Sequence, residues 1–380
     1  MTNRILPAAV LLAACFTTAP GGAQTPAPAE PPAAPRNTLA IEALERLKGM
    51  DLGANPALQA KVLKVLATTR GTADFVHIVR DFQLPGQEAG LLDYALQHPS
   101  EGTGVEAVRM IVTGPDQSVL KAALTATNTA ARAAEVLGNT GDKTAVPLLL
   151  PLVTDAKADL GGRKQAVRSL AQIQAGAGEL LALAAKDQLP GELRFTAMTE
   201  LNQVRWPELL AEAAKVLPRP QGRNTEALPP VPELLKRTGD PARGALVFAR
   251  ADVACINCHR VNDRGTDLGP ALSEIGTKLG KDALYEAILD PSAGIAFGFE
   301  AWTIEMNSGD EAYGLIVSET AEEITMKNVK GIPTRIKKSD IAKRQQMKLS
   351  LMPNGLQQAM TTQDLVDLVE YLATLKKAAK

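Results

Sequence analysis

The chain predicts a mainly α protein, with a long run of helix pairs followed by a smaller helical domain that carries a small antiparallel β insert. Three observations carry this expectation. Ala and Leu dominate a chain with an aromatic content of only 3%, a balance that favours helix over sheet. Segments around Leu137, Leu170 and Leu201 repeat one another 33 and 31 residues apart, a period typical of stacked helix pairs. Beyond residue 300 the apolar period changes to two, with Trp302, Ile304 and Met306 alternating, then Tyr313, Leu315 and Val317, then Ile324 and Met326. A length of 380 residues allows two or three domains. A net charge of −1 offers no bulk attraction to nucleic acid.

Residues 1–23 read as an export signal: Arg4, an apolar run over 5–14, then small residues up to Ala23. Leu12-Ala13-Ala14-Cys15 also forms a lipobox, in which Cys15 would be lipidated and become the new N-terminus. Release after Ala23 would instead discard Cys15. Both readings send the chain to the periplasm or cell envelope, and the only membrane contact is a lipid on Cys15. No other stretch is apolar for long enough to span a bilayer. Residues 24–38 form a Pro/Ala tether with Pro26, Pro28, Pro31, Pro32 and Pro35.

From 39 to 217 the pattern is helix after helix. The segments 132–138, 164–171 and 194–201 are mutual copies. Each is followed by a turn and a second apolar helix, such as 145–153 or 179–185, and weaker copies end near Leu66 and Leu96. One helix pair cannot cover its own apolar face, so stacking is expected. The stretch 137–147 (Leu-Gly-Asn-Thr-Gly-Asp-Lys-Thr-Ala-Val-Pro) resembles a HEAT-type repeat. That resemblance implies a HEAT-like α-solenoid, with an irregular helical bundle as the alternative. His77 is expected as a packed helix residue and His98, just before Pro99, as a loop residue.

The Pro-rich stretch 218–238 marks a linker, and a second domain is expected over 239–380. Asp240 is a natural N-cap and Pro241 takes the first helical position. The helix leads to Cys255-Ile256-Asn257-Cys258-His259. Two thiols at this spacing can each add across one vinyl group of a haem, and the adjacent imidazole can ligate its iron. A zinc site wants four ligands, yet the rest of the chain holds only Cys15, His77 and His98. A thioredoxin-like pair wants a strand-to-helix context, whereas here a helix precedes and a loop follows. The expectation is one covalent haem c held by Cys255 and Cys258, with His259 as an iron ligand.

Residues 281–289 form an amphipathic helix stopped by Asp290-Pro291. A β insert of three or four strands is expected over about 300–340, with a turn at Asn307-Ser308-Gly309-Asp310. Thr361 and Asp364 make a capping box for a last helix whose apolar face is Leu365, Leu368, Val369, Leu372 and Leu375. A second iron ligand would come from Met306, Met326, Met347, Met352 or Met360. Met306 and Met326 sit at strand positions, so core packing suits them better. Met352, in an irregular segment before the last helix, is the expected ligand, with Met347 and Met360 as alternatives.

The order of Cys255–His259 and Gly269-Pro270-Ala271-Leu272 resembles cytochrome c. The resemblance implies that the Pro270 carbonyl accepts the His259 Nδ1–H, that Leu272 packs on the haem, and that Met352 stands where cytochromes c place the distal ligand. The long His259-to-Met352 separation matches a narrower family, the haem-binding domain of the planctomycete–verrucomicrobium type. That resemblance covers about 239–376, through Ala287-Ile288-Leu289-Asp290-Pro291, Gly298-Phe299-Glu300-Ala301-Trp302 and Met352-Pro353-Asn354-Gly355-Leu356. It implies a cytochrome c core with one haem c, in a family often fused to helical repeats and a sugar-dehydrogenase-like propeller. No propeller-like run of strands is visible here, so a dehydrogenase would be another chain. The expected function is that of an exported monohaem electron carrier with no substrate site of its own and a redox protein as partner. The alternatives are a haem enzyme or gas binder with an open or labile sixth iron position, and a helical docking scaffold with an accessory haem.

Charge is segregated. Residues 282–323 carry ten acidic side chains and no Lys or Arg, while 327–348 carry eight basic ones against Asp340 alone. The two stretches either pair across one sheet or leave a basic rim beside Met352 that steers an acidic redox partner.

Overall fold

The computed structural model describes residues 38–218 and 227–377. The expected export signal with Cys15, the expected tether up to residue 37, and residues 219–226 of the Pro-rich stretch lie outside the described residues. The fold is mainly helical, with a small five-stranded antiparallel sheet toward the C-terminus. Among the described residues no helix is long and apolar enough to cross a membrane.

Twelve helices occupy the first region: α1 (Thr38–Glu45), α2 (Pro56–Thr68), α3 (Ala73–Phe82), α4 (Glu88–Gln97), α5 (Gly102–Thr113), α6 (Ser118–Thr125), α7 (Ala130–Asn139), α8 (Val146–Thr154), α9 (Leu160–Leu170), α10 (Gln174–Ala185), α11 (Gly191–Leu201) and α12 (Pro207–Val216). Their starts follow local chemistry. Asn55 accepts a hydrogen bond from the Leu58 N–H ahead of Pro56, and Asp159 accepts one from the Gly162 N–H, each satisfying an otherwise orphaned donor. Packing runs in two series. Helices α3, α5, α7, α9 and α11 each touch the next of their set, as do α4, α6, α8, α10 and α12. Helix α7 approaches α9 closely, with Gly138 against Ser169 and Gly162 against Ala130. Ser169 Oγ donates to the Ala134 carbonyl at 2.7 Å across that contact. Leu137, Leu170 and Leu201 fall on α7, α9 and α11, one series, and all three are fully buried. Leu66 and Leu96, expected to end weaker copies, sit on α2 and α4 instead. The eight-residue α6 shortens the spacing between α5 and α7, so a fixed period extended upstream loses phase.

The second region holds α13 (Val231–Leu234), α14 (Pro241–Ala249), α15 (Ile275–Lys278), α16 (Lys281–Leu289) and α17 (Thr362–Thr374). Asp240 accepts from the Ala242 and Arg243 N–H groups to start α14. Thr361 and Asp364 form the reciprocal capping box of α17. Helix α14 crosses α17 closely because Gly244 presents no side chain to the Asp367 backbone. Beside the crossing, the Phe248 and Tyr371 rings tilt together at 5.9 Å. Asp367 is buried there and accepts from Asp240 N at 2.8 Å, Arg243 Nε at 2.7 Å and Gln363 Nε2 at 2.9 Å.

Between α16 and α17 lie β1 (Ala301–Met306), β2 (Glu311–Glu319), β3 (Glu323–Lys327), β4 (Pro333–Lys337) and β5 (Ile341–Gln346), ordered β4-β3-β2-β1-β5 with antiparallel neighbours throughout. The insert therefore has five strands rather than three or four, and extends to 346 rather than about 340. Strand β5 (Ile-Ala-Lys-Arg-Gln-Gln) is an edge strand exposed almost throughout, so it has no buried face to impose an alternating pattern. The acidic stretch supplies the central strands and the basic stretch the two edges. Glu319 pairs with both Lys338 and Arg344, at 2.8 and 2.9 Å. Lys327 reaches Asp267 at 3.6 Å, and Lys330 Nζ donates to Asn139 Oδ1 at 2.8 Å. Among the described residues, Lys327, Lys338 and Arg344 of the basic stretch thus meet carboxylates within the chain.

The sheet also leans on the first region. Ile332, in the β3–β4 turn, is buried in the core of the helices. Pro333 abuts Gly102 at the start of α5. Arg205 pairs with Glu311 and lies over both Trp206, at 4.3 Å, and Tyr313, at 4.8 Å.

Candidate functional site

The C-x-x-C-H run follows α14 directly. Ala254 takes a left-handed conformation (φ 57°), which turns the chain into a short 3₁₀ turn at Cys255–Asn257. His259 N donates to the Cys255 carbonyl at 2.9 Å, so the motif is a compact loop closed on itself. The segment after it folds back alongside: Gly269 N donates to the Cys258 carbonyl at 2.7 Å and Leu272 N to the Arg260 carbonyl at 2.8 Å. These two bonds bring Pro270 under the imidazole, and His259 Nδ1 lies 2.8 Å from the Pro270 carbonyl oxygen. A carbonyl only accepts, so Nδ1 carries the proton and Nε2 keeps its lone pair. Gly269 makes the approach feasible. A Cβ there would stand 2.7 Å from His259 Cε1.

The electrostatics keep these donors neutral. Burial pulls His259 below the usual histidine value, more than the Pro270 hydrogen bond raises it. The ring is therefore an uncharged imidazole at neutral pH, the form that binds metals. Cys255 and Cys258 are both free thiols. Burial pushes Cys255 up to about 11 and raises Cys258 as well. Reactive redox pairs have depressed thiol values, and this pair shows the opposite.

Around the motif, Cys255, Ile256, Leu272, Ile275, Met352 and Leu356 are partly buried and pack against the core formed by α14, α16 and α17. Met352 N donates to Ser350 Oγ and Ser350 N to Ser292 Oγ, both at 3.1 Å, which ties the Met352 segment to the turn after α16. The expected residues Cys255, Leu272 and Met352 thus share one apolar cluster although they come from three separate stretches. Met360 is buried in the same core, at 1% exposure. Met347 donates its N–H to Ala301 and prolongs β5. Met306 and Met326 pack in the separate core of the sheet.

His77 is half-buried in α3 and is lowered chiefly by that burial. His98 ends α4, stacks on Tyr94 at 4.3 Å and bonds Glu101 at 2.8 Å. Among the described residues no group of three or more His, Cys, Asp and Glu side chains converges on a point that could hold a metal ion.

Three contributors had no role assigned from the sequence. Gly269 is one, and its position just before Pro270 was the available signal. Asp367 is another, a lone acid inside the apolar face of α17. Gln357, between Met352 and α17, buries its Oε1 with no partner among the described residues, and nothing in the sequence marked it. No family model matches the chain, and no curated protein matches it in sequence.

A haem c suits the groups present. Two protonated thiols three positions apart can form thioethers, one oriented neutral imidazole offers Nε2, and an apolar set that includes a thioether sulfur lies alongside.

Proposed function

We propose that the chain is an exported monohaem c-type cytochrome that transfers single electrons, with a separate exported dehydrogenase as its donor. The observation that carries the reading is the His259–Pro270 pair, 2.8 Å apart, set beside two free cysteines at C-x-x-C spacing. A bound haem would supply reversible one-electron iron chemistry. Cys255 and Cys258 hold it through thioether bonds. His259 ligates the iron through Nε2, and the Pro270 carbonyl fixes the ring and raises its donor strength. Leu272, Ile256 and Leu356 exclude water, which favours the lower iron charge. Met352 would be the second protein ligand of the iron, and its soft thioether would raise the potential. With His259 and Met352 both engaged, no position would be left for a substrate, so the chain would act as a carrier.

In this reading residues 239–380 form the cytochrome c-like haem domain of the planctomycete–verrucomicrobium type. The two series of helix contacts support a HEAT-like solenoid over 39–217. Residues 1–23 act as the export signal, with Cys15 the site of any lipid anchor. The redox partner is acidic and meets basic side chains that have no carboxylate within ion-pair distance among the described residues, Lys343 on the edge strand β5 and Lys348 four positions before Met352.

The test is the spectrum of purified protein. Expected are a thioether-type pyridine haemochrome, haem that acid acetone does not extract, and the weak near-infrared band of methionine-ligated Fe(III). Haem released by acid acetone would reject the covalent assignment, and loss of the near-infrared band would reject the methionine.

A further inference from the structure

A second site lies between the two regions. The ends of α5, α7, α9 and α11 form one wall of a crevice of about 880 Å³, and the sheet forms the other. Repeat geometry builds the first wall. Asn139, Gln172 and Gln203 occupy equivalent places just past Leu137, Leu170 and Leu201, so successive repeat turns line up along it. The volume falls within the range of small-molecule sites, and such sites favour junctions between folded units.

The acids and the cations of the crevice are in different states. Asp142 is engaged in capping Thr144. Asp310 accepts from Lys143 N and Ser308 Oγ, and Glu311 pairs with Arg205. The cations are under-used. Arg109 makes one hydrogen bond, from Nη2 to the Thr140 carbonyl at 2.7 Å. Lys330 makes one, to Asn139 Oδ1. Neither they nor Arg335 has a carboxylate within ion-pair distance among the described residues. Trp206 Nε1 is buried with no acceptor among the described residues. Burial also pulls Arg109 and Lys330 down and pushes Glu200, which pairs with Arg168 at 3.8 Å, up, so the place is poorly solvated. Met306 and Tyr313 give the sheet wall an apolar surface.

We propose that this crevice binds a small organic carboxylate, its charged end received by Arg109 and Lys330, its carbon skeleton laid on Met306 and Tyr313. The site is independent of the C-x-x-C-H motif and stands whether or not that motif carries haem.

The probe is succinate, titrated into the full chain at low ionic strength and followed by calorimetry and by indole emission. Trp302 is the only other tryptophan, so a Trp302→Phe background isolates Trp206. Saturable heat with a shift in Trp206 emission is expected. Arg109→Gln and Lys330→Gln should each weaken it at least about tenfold, while glucose and spermidine give no saturable signal. Arg335→Gln, on an exposed edge side chain, serves if Arg109→Gln does not fold, and should also weaken binding. No saturation by succinate at millimolar concentration overturns the proposal, as does unchanged affinity in the folded variants. Inorganic phosphate binding as tightly as succinate overturns the organic assignment.

Discussion

The helical region and the region around the cysteines bury apolar side chains in different ways. In the first, one copy of a helix pair closes the face of the next, and Leu137, Leu149, Leu170, Leu180 and Leu201 are all at 0% exposure. In the second, the α14–α17 crossing closes as tightly, but Ile256, Leu272, Met352 and Leu356 stay only partly buried on its flank. Close packing of like elements gives stability and little chemistry. Half-buried apolar groups converging beside neutral donors give less stability and a place for a flat, apolar group.

The largest expected effect comes from the second region. Cys255→Ala/Cys258→Ala should lose all haem staining after denaturing electrophoresis while the helical content of the first region, followed by circular dichroism, persists. Staining retained in that variant would break the contrast at its root.

In the first region the matching perturbation is Gly138→Leu. A Cβ at Gly138 already overlaps Ser169, and overpacking costs about 1–3 kcal/mol or more. Thermal unfolding of the α7–α9 region should fall by several degrees, with the haem spectrum unchanged. A changed spectrum would mean that the two regions are not separable.

Asp367 should set an acid limit on the second region alone. Burial raises its carboxyl, yet the hydrogen bonds from Arg243, Asp240 N and Gln363 outweigh this and hold it below the usual carboxylate value. A depressed folded value adds stability above the unfolded value, about 3.9, and that stability disappears as pH falls through the folded value. Asp367→Asn should cost about 2 kcal/mol at neutral pH, with the deficit shrinking below about pH 4. A deficit constant from neutral pH to pH 2 would remove the carboxylate from the account.

The distal position is a finer test. Met352→Ala should lower the reduction potential and admit carbon monoxide, measured by redox titration and absorption. If Met347→Ala or Met360→Ala does so instead, Met352 is a packing residue. The smallest effect belongs to the junction. Arg205→Ala should cost about 1 kcal/mol and separate the calorimetric transitions of the two regions. A single sharp transition in that variant would show that the Ile332 turn and the Lys143–Asp310 contact suffice to couple them.

Local chemistry was legible in the chain. Asp240-Pro241, the Thr361/Asp364 box and the alternation through Trp302, Ile304 and Met306 each carry their own signal in neighbouring residues. The Pro270 contact to His259 was legible only through resemblance, because its geometry depends on two backbone bonds that close the loop 260–272. What stayed hidden was long-range or polar. Strand β5 has no buried face to impose a pattern, the α6 shortening shifts the repeat phase, and Ile332 reads as one apolar residue in a turn until the helices it enters are in place. Gly244 and Asp367 are 123 residues apart, and neither predicts the other.

The turn that carries Ile332 has a consequence for inheritance. Within residues 327–333 the chain touches Asp267, in the loop after the cysteines, through Lys327, and the helices through Lys330, Ile332 and Pro333. A gene fragment beginning after the Pro-rich stretch would display Ile332 as a bare apolar tip, prone to self-association. One lacking the C-terminal half would leave an uncovered notch at Gly102. Recombination at that stretch is therefore penalised on both sides, and the two halves should travel between genomes as a pair, with the residues facing this turn changing in concert.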